Sequence, residues 1–347
     1  LPISLPALTG IWEGEELVLP RQSFGELAPL VGRDDVHWAE SIQQEVKALR
    51  KSEFGSVSLD ESFQGTLLPY QQTGVEWLFF LQKHGFSALL SDEMGLGKTV
   101  QVLAFFSQLR TKLPILIVAP TSLLFNWQSE IAKFWPSARV IVHAGPERAK
   151  TAEAIEQQGV ILTSYAILRQ DEKLFKTIDF AAAALDESQT IKSYTSLSAK
   201  AAYALKARCK IAITGTPIEN RPEELWSQFH FLLPELLGPR SDFLSSSPEL
   251  VRRRVKPFIL RRTKEQVQLQ LPEKIDRPLW IEMTQEQQFL YEQSLAAFKS
   301  GLLQKIQKEG AKVHRMEVLE VILRLRQICC DGRLVQAEER GTKAEML

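Results

Sequence analysis

A glycine-containing loop between two apolar segments constrains this chain more than any other feature. Residues 87–90 (Ser-Ala-Leu-Leu) have the character of a short strand, residues 95–99 read Gly-Leu-Gly-Lys-Thr, and an apolar helix begins near residue 100. Glycines let backbone N–H groups surround an anion at the N-terminus of a helix. The lysine of such a loop reaches the β- and γ-phosphates of a nucleotide, and the threonine hydroxyl binds Mg²⁺. The sequence therefore predicts a loop that binds ATP and Mg²⁺.

The loop departs from the usual pattern at one position. The pattern G-x-x-x-x-G-K-[ST] begins with glycine, whereas this chain has Asp92 there. The alternative interpretation is a glycine-rich turn that caps a helix beside an unrelated lysine. Because Lys98, Thr99 and the flanking elements agree with one another, phosphate binding is the stronger hypothesis.

An apolar run that ends in two acidic residues supplies the partner that such a loop needs. Residues 181–185 are followed by Asp186 and Glu187. Asp186 is predicted to bind Mg²⁺ together with Thr99, and Glu187 to orient or deprotonate the attacking water, because phosphoryl transfer depends on positioning and charge neutralisation. Alone, the run is equally consistent with a strand followed by a helix cap. The loop upstream favours the catalytic interpretation of Lys98, Asp186 and Glu187.

Short apolar runs alternate with helix-length segments from about residue 61. The runs lie at residues 87–90, 115–119, 160–163, 181–185 and 211–214, with helices at 100–110 and 123–134. This alternation predicts an α/β fold with a mainly parallel sheet, helices on both faces, and ligands at the carboxyl ends of the strands.

The flanking regions have a different character. Residues 1–60, with a helix expected at 36–51, form an N-terminal accessory segment ahead of a lobe at 61–237. Residues 238–347 are predicted to be a basic, mainly helical appendage. Helices are expected in it at residues 285–303 and 313–328, and another helix is expected just ahead of it at 223–233. An extended run at 274–283 is a candidate strand that returns to the sheet.

Composition restricts the partners of the chain. The 42 basic and 42 acidic residues cancel, so any nucleic-acid contact depends on local patches. Three cysteines offer no disulfide framework or C-x-x-C pair, which is typical of a reducing compartment. No run approaches the roughly 18 apolar residues of a membrane helix. We expect a cytoplasmic, monomeric chain with no membrane contact and no structural metal.

Several motifs occur in an order that resembles the superfamily-two helicase-like ATPases, and specifically the Swi/Snf family of DNA translocases. The matching stretches lie at residues 67–78, 92–99, 119–127, 163–165, 185–192, 214–220, 257–264 and 271–274. They extend over about residues 65–330. The Asp-Glu-Met-Gly form of the loop is typical of this family, which accounts for Asp92.

The resemblance implies a RecA-like phosphate-loop fold, a three-layer sandwich, and assigns roles to individual residues. The ATP-binding set comprises Gln71, which would recognise adenine, and Met94, Gly95, Leu96, Gly97, Lys98 and Thr99. The residues that would couple nucleotide state to DNA contact are Thr214, Thr216 and Gln189. Family members often carry histidine where Gln189 stands. Glutamine can hydrogen-bond toward the coupling residues but cannot titrate, and bacterial-type members look similar here.

Residues proposed to contact DNA follow the strands. Thr121, Ser122, Thr163, Ser164 and Tyr165 would hold phosphates through hydroxyl and backbone N–H groups without reading sequence. The alternative is that they cap helices.

Two further features have competing interpretations. Trp127 is expected to be a core residue in preference to a base-stacking one. The arginines at 252–254 and 261–262 are interpreted either as a solvated basic face or as contacts to DNA phosphates or a second lobe.

The resemblance implies the ATP-binding lobe of an ATP hydrolase that translocates on double-stranded DNA and remodels protein–DNA complexes. It stops near Asp331, so the chain is expected to be a fragment whose full-length parent carries a second RecA-like lobe with an arginine finger. Alone, the fragment would then turn over ATP slowly or not at all. The alternatives are a strand-separating helicase and a nucleotide-gated binding module without hydrolysis.

Overall fold

The computed structural model describes residues 11–13, 16–18, 54–156, 159–215, 222–267, 280–302, 306 and 314–335. The predicted helix at 36–51 and the coupling residue Thr216 lie outside these ranges. The chain divides into two compact units, Leu1–Leu269 and Gln270–Leu347. The limit between them therefore does not coincide with the limit that we expected after residue 237, and the limit after residue 60 stays a prediction.

A seven-stranded parallel sheet forms the centre of the first unit, as the alternating pattern predicts. Its strands are β3 (Ala88–Leu90), β4 (Ile115–Ala119), β5 (Val140–His143), β6 (Val160–Ser164), β7 (Asp179–Leu185), β8 (Lys206–Ile213) and β9 (Ile259–Leu260). They lie in the order β5-β6-β4-β7-β8-β3-β9. Two earlier strands, β1 (Ile11–Glu13) and β2 (Glu16–Val18), form an antiparallel pair of their own.

Continuous apolar sequence explains the central strands. Every residue of β4 and β6 is buried, as are the last six residues of β7. Strands covered by helices on both faces read as unbroken apolar runs because neither side meets water. The expected α/β class is confirmed, and all five predicted strands are present. Strands β5 and β9 were not predicted.

Helices follow most of the strands. In the first unit they are α1 (Pro69–Lys83), α2 (Lys98–Ser107), α3 (Leu124–Phe134), α4 (Ala152–Glu156), α5 (Tyr165–Gln170), α6 (Glu172–Phe175), α7 (Leu197–Tyr203), α8 (Pro222–Leu232), α9 (Arg240–Ser245) and α10 (Pro248–Val255). Short 3₁₀ turns lie at Thr121–Leu123, Ser188–Ile191 and Lys256–Phe258.

The strand register brings the predicted site residues to one side of the sheet. Leu90 pairs with Ile213, Leu185 with Ala212, and Val118 with Leu185. The chain therefore leaves β3, β7 and β8 at the same level, where the phosphate loop (residues 92–99), the acidic pair and Thr214 begin. This is the side at which parallel sheets bind ligands.

Strand β9 corrects the predicted appendage. Ile259 and Leu260 pair in parallel with Leu89 and Leu90, so this basic stretch contributes the edge strand of the sheet. Phe258 packs on Phe86 with ring centroids 5.1 Å apart. The strand expected at 274–283 lies partly outside the described residues, and its described part, 280–283, forms no strand.

The second unit contains α11 (Gln285–Ala297), a π-helical turn at Phe298–Leu302, α12 (Arg315–Cys330) and a 3₁₀ turn at Gly332–Val335. The amide of Gln287 on α11 is buried and donates to the Ile328 carbonyl on α12 at 2.7 Å, which fixes the two helices to each other. None of the helices in the described residues has the length and apolar character to cross a membrane.

Candidate nucleotide site

The phosphate loop has the backbone geometry that its glycines allow. Gly95 and Gly97 have φ values of 90° and 74°, in the left-handed region that favours glycine. Gly97 also lies against Gln71, because a Cβ atom at this position would come within 2.4 Å of the Gln71 Nε2 atom. Helix α2 begins directly after it at Lys98, so the loop lies at a helix N-terminus.

Lys98 binds the backbone of its own loop. Its ammonium donates to the Asp92 carbonyl at 2.8 Å and to the Glu93 carbonyl at 3.4 Å. Burial lowers the pKa of Lys98, and the nearby carboxylates of Asp92, Glu187, Asp186 and Glu93 act in the opposite direction. The phosphate loop and the acidic pair are therefore neighbours, as the sequence predicts.

Gln71 bonds to the phosphate loop in this structure. Its Nε2 donates to the Leu96 carbonyl at 3.2 Å, and the Tyr70 hydroxyl donates to the same oxygen at 3.1 Å. Its Oε1 accepts from Leu68 N at 2.9 Å, at the start of α1. Gln71 therefore contacts the phosphate loop directly, while its contact with adenine stays a prediction. A pocket of about 380 Å³ beside the loop is lined by Gly95, Gly97, Lys98, Thr99, Val100, Glu130 and Phe134.

Asp186 is held by neutral donors. Its Oδ2 accepts from the Trp127 indole at 2.7 Å and its Oδ1 from Glu187 N at 2.9 Å. Burial raises the pKa of Asp186 above its ordinary value; these two hydrogen bonds and the Lys98 charge oppose the rise, whereas the Glu187 charge adds to it. A carboxylate with a raised pKa beside a phosphate loop is typical of a functional site.

Trp127 is a core residue, as expected, and 1% exposed. Its hydrogen bond to Asp186 was not predicted from sequence.

Glu187 begins a hydrogen-bonded series of side chains. Its φ is 48°, and among the residues that the structure describes it is the one non-glycine in the left-handed region. Gln189 Nε2 donates to its Oε2 at 2.5 Å, and Thr214 Oγ1 donates to Gln189 Oε1 at 3.0 Å. The expected bond from Gln189 toward the coupling residues is therefore present. Thr214 N in turn donates to the Leu90 carbonyl at 3.1 Å, next to the phosphate loop.

Met94 is mostly exposed on the outer side of the loop. A Cβ atom at Gly215 would come within 2.8 Å of Met94 Cγ, so the residue after Thr214 contacts the phosphate loop directly.

The structure buries the three side chains at the end of β6 that were proposed to contact DNA. Thr163 is fully buried and donates to the His143 carbonyl at 2.9 Å. Ser164 is the N-cap of α5 and accepts from Ile167 N, which is the alternative that we considered. Tyr165 is buried and donates to the Asp186 carbonyl at 2.7 Å. Their hydroxyls bond within the protein, and a DNA contact through the backbone of these residues stays a prediction.

The other proposed DNA residues are accessible. Thr121 and Ser122 are exposed at the end of β4 and remain predictions. Arg252 and Arg253 are exposed on α10, in agreement with a solvated basic face. Arg262 belongs neither to a solvated basic face nor to a free contact surface, because its guanidinium binds the buried Asp92 carboxylate.

Comparison with known proteins decides the family. Residues 70–334 match the family model for the SNF2-related domain. The chain belongs to the SNF2-related family. The predicted resemblance to Swi/Snf ATPases is confirmed, and its span matches the motif range found in the sequence.

Relatives of this SNF2-related chain include bacterial and eukaryotic proteins. It is 39% identical over 300 residues to YwqA of Bacillus subtilis, named as an ATP-dependent helicase/translocase, with 80% of this chain and 32% of YwqA covered. It is 31% identical over 307 residues to the chromatin-remodeling ATPase INO80 of Schizosaccharomyces pombe, with 79% and 19% covered. The SNF2-related chain thus spans about a third or less of these relatives.

A solved structure shares the architecture. The Sulfolobus solfataricus SWI2/SNF2 ATPase core in complex with dsDNA has a TM-score of 0.59 and 35% identity, covering 82% of this chain and 63% of that chain. The RecA-like class predicted for the SNF2-related chain is therefore confirmed.

Proposed function

We propose that this chain is the ATP-binding lobe of a motor that hydrolyses ATP, translocates on double-stranded DNA and remodels protein–DNA complexes. The observation that carries the proposal is the hydrogen-bonded series from Glu187 through Gln189 to Thr214, beside the Lys98 loop. Such a series joins the water-activating carboxylate to the residue that would report nucleotide state. Relatives named as an ATP-dependent helicase/translocase and a chromatin-remodeling ATPase support the assignment.

The residues present fit a nucleotide and Mg²⁺. The left-handed Gly95 and Gly97 allow backbone N–H groups to face a phosphate at the start of α2. Lys98 bonds only to loop carbonyls in the hydrogen bonds described, and it would exchange them for phosphate oxygens. The Thr99 hydroxyl and the Asp186 carboxylate would hold the metal, which neutralises phosphate charge when bound.

Glu187 is the proposed water-activating residue. It would orient a water molecule for attack on the γ-phosphorus and take the proton that the water loses, while ADP leaves with the electrons of the broken bond. The bond from Gln189 fixes one carboxylate oxygen, so the other is the one directed to water. A change at Thr214 would then alter the orientation of the base.

A second RecA-like lobe, as in the family that the chain resembles, would complete the site. An arginine finger contributes about 10³ to 10⁵ in rate in related nucleotide hydrolases. We therefore propose that these 347 residues alone bind Mg·ATP weakly and hydrolyse it slowly. Turnover by this chain at the rate of a two-lobe protein would contradict this part of the proposal.

The decisive measurement is the ATPase rate of the gene product that contains this sequence. It is measured without nucleic acid and with single-stranded DNA, duplex DNA and RNA. Selective stimulation by duplex DNA supports the proposal, and stimulation by RNA alone contradicts it. Glu187→Gln should keep nucleotide affinity while lowering turnover by about a thousandfold or more, because only the proton acceptor is lost.

The name of YwqA favours a second candidate, a strand-separating helicase. A strand-displacement assay discriminates between the two, because a duplex translocase leaves the labelled strand annealed. Normal nucleotide binding with no turnover by the gene product under any of the four conditions would instead indicate a nucleotide-gated binding module.

A further inference from the structure

The ion pair between Asp92 and Arg262 lies in the nucleotide site but has no role in the proposed reaction. Asp92 replaces the first glycine of the usual loop pattern, and its side chain is fully buried. Its Oδ1 accepts from Arg262 N and Arg262 Nε, both at 3.0 Å, and its Oδ2 accepts from Arg262 Nη2 and from Gln101 Nε2. A bidentate arginine–carboxylate pair of this kind fixes orientation as well as charge.

Arg262 also binds two other parts of the site. Its Nη2 donates to Gln101 Oε1 on α2 at 2.7 Å, and its Nη1 donates to the Tyr70 carbonyl on α1. The guanidinium therefore joins α1, α2 and the phosphate loop. Tyr70 in turn donates to the Leu96 carbonyl, so the first residue and the middle of the loop both connect to this cation, Leu96 by way of Tyr70.

The backbone on either side of Arg262 runs along the phosphate loop. Ser91 N donates to the Leu260 carbonyl at 2.8 Å, and Glu93 N donates to the Arg262 carbonyl at 2.9 Å. Lys264 N donates to Glu93 Oε2 at 2.9 Å. Residues 259–264 therefore continue from the edge strand β9 and run alongside residues 91–93.

The contact around Arg262 is close-packed. A Cβ atom at Gly74 of α1 would come within 2.0 Å of Gln101 Oε1 and 3.0 Å of Arg262 Nη2. The helix, the glutamine and the guanidinium therefore meet without room for one methyl group. This packing leaves the Asp92 carboxylate little freedom to turn away from Arg262.

We infer that Arg262 is a positioning residue of the phosphate loop: it holds Asp92 so that Lys98 is available to a nucleotide. Asp92 offers a carboxylate close to Lys98, whose ammonium bonds the Asp92 carbonyl. While Arg262 neutralises that carboxylate, it does not compete with phosphate oxygens for the lysine. Without Arg262, a buried anion loses its strongest partner, and Lys98 is the cation already beside it.

This inference rests on the proposed nucleotide binding and predicts a specific pattern of variants. Arg262→Ala should weaken binding of a fluorescent ADP analogue by about tenfold or more, because the loop reorganises around an unpaired charge. It should raise KM for ATP more than it lowers kcat. The double variant Arg262→Ala/Asp92→Asn removes the competing anion and should bind within about threefold of wild type.

A second ion pair of the same unit provides the matched control. Arg148 pairs with Asp171, and the two side chains are 13% and 15% exposed, close to the 14% of Arg262. Arg148→Ala should lower Tm without changing affinity for the ADP analogue. Arg262→Lys, whose ammonium cannot bond all four acceptor atoms of the guanidinium, should give an intermediate affinity and guards against loss of folding in Arg262→Ala.

All variants are made in the gene product that contains this sequence, with Tm measured alongside affinity. Wild-type affinity in Arg262→Ala overturns the inference, as does a double variant that binds as weakly as Arg262→Ala. Equal loss of affinity in Arg148→Ala would show a general stability effect and also overturns it. Absence of nucleotide binding by the wild type would instead refute the proposed function.

Discussion

Two aspartates beside the same sheet have opposite environments. Asp171 accepts two hydrogen bonds from Arg148 and lies 2.9 Å from His143 Nε2, and its pKa is lowered to about 2, mainly by the Arg148 bond. Asp186 accepts from an indole and a backbone N–H, and burial raises its pKa. The first carboxylate is neutralised within the protein and supports structure. The second is opposed only by two neutral donors and the charge of Lys98, and we propose that a bound Mg²⁺ would complete its neutralisation.

The largest expected effect is on nucleotide affinity, which should depend on the site around Asp186 and not on the region around Asp171. Lys98→Ala should weaken ATP binding by about a hundredfold or more, since the phosphates lose their main cation. The free energy of unfolding should change by less than about 1 kcal/mol, because burial already disfavours the charged lysine. Isothermal titration with Mg·ATP and urea unfolding test this; tight ATP binding by the variant would remove Lys98 from its role.

The complementary variant changes the structural aspartate. Asp171→Asn should lower the free energy of unfolding, because a charge-assisted pair is replaced by a neutral contact. Nucleotide affinity should be unchanged. If this variant has wild-type stability in urea unfolding, the ion pair between Arg148 and Asp171 does not stabilise the fold.

A smaller effect, with the opposite sign, is expected at Asp186. Asp186→Asn removes a charge that burial disfavours and keeps an oxygen for the Trp127 indole, but it loses the acceptor of Glu187 N. The free energy of unfolding should therefore rise by less than about 1 kcal/mol. The dependence of nucleotide binding on Mg²⁺ should weaken in the same variant. Lower stability at neutral pH would indicate that Asp186 is neutralised within the protein after all.

The smallest effect is the pH dependence of these differences. The lowered pKa of Asp171 stabilises the fold above its ordinary value of 3.8, and this contribution is lost as pH falls toward about 2. The raised pKa of Asp186 has the reverse sign, so its cost appears as pH rises above 3.8. Unfolding curves between about pH 4 and 7 should therefore show the Asp186→Asn advantage growing with pH. A constant advantage would contradict the raised pKa.

The sheet and the nucleotide loop were predictable because their signals are local. Strands β4, β6 and β7 are unbroken apolar runs, and a helix begins at the lysine of the Gly-Lys-Thr sequence. Strand β5 carries a comparable apolar run, Val-Ile-Val-His, which also indicates a strand.

Strand β9 and Arg262 had no local signal. The two-residue strand lies among basic residues, and Arg262 bonds to an aspartate 170 positions earlier in the chain. Only the fold brings such a pair together. The hydroxyl residues after strands are ambiguous for another reason. A serine after a strand suits a phosphate contact and a helix cap equally, and its burial cannot be read from the sequence.

The left-handed backbone at Glu187 bears on how such a chain evolves. A side chain in that conformation costs roughly 1 to 2 kcal/mol relative to the usual region, and glycine would avoid the cost. Selection for stability alone would favour glycine at position 187. The glutamate at this position therefore carries a backbone cost, which fits the water-activating role that we propose for its carboxylate.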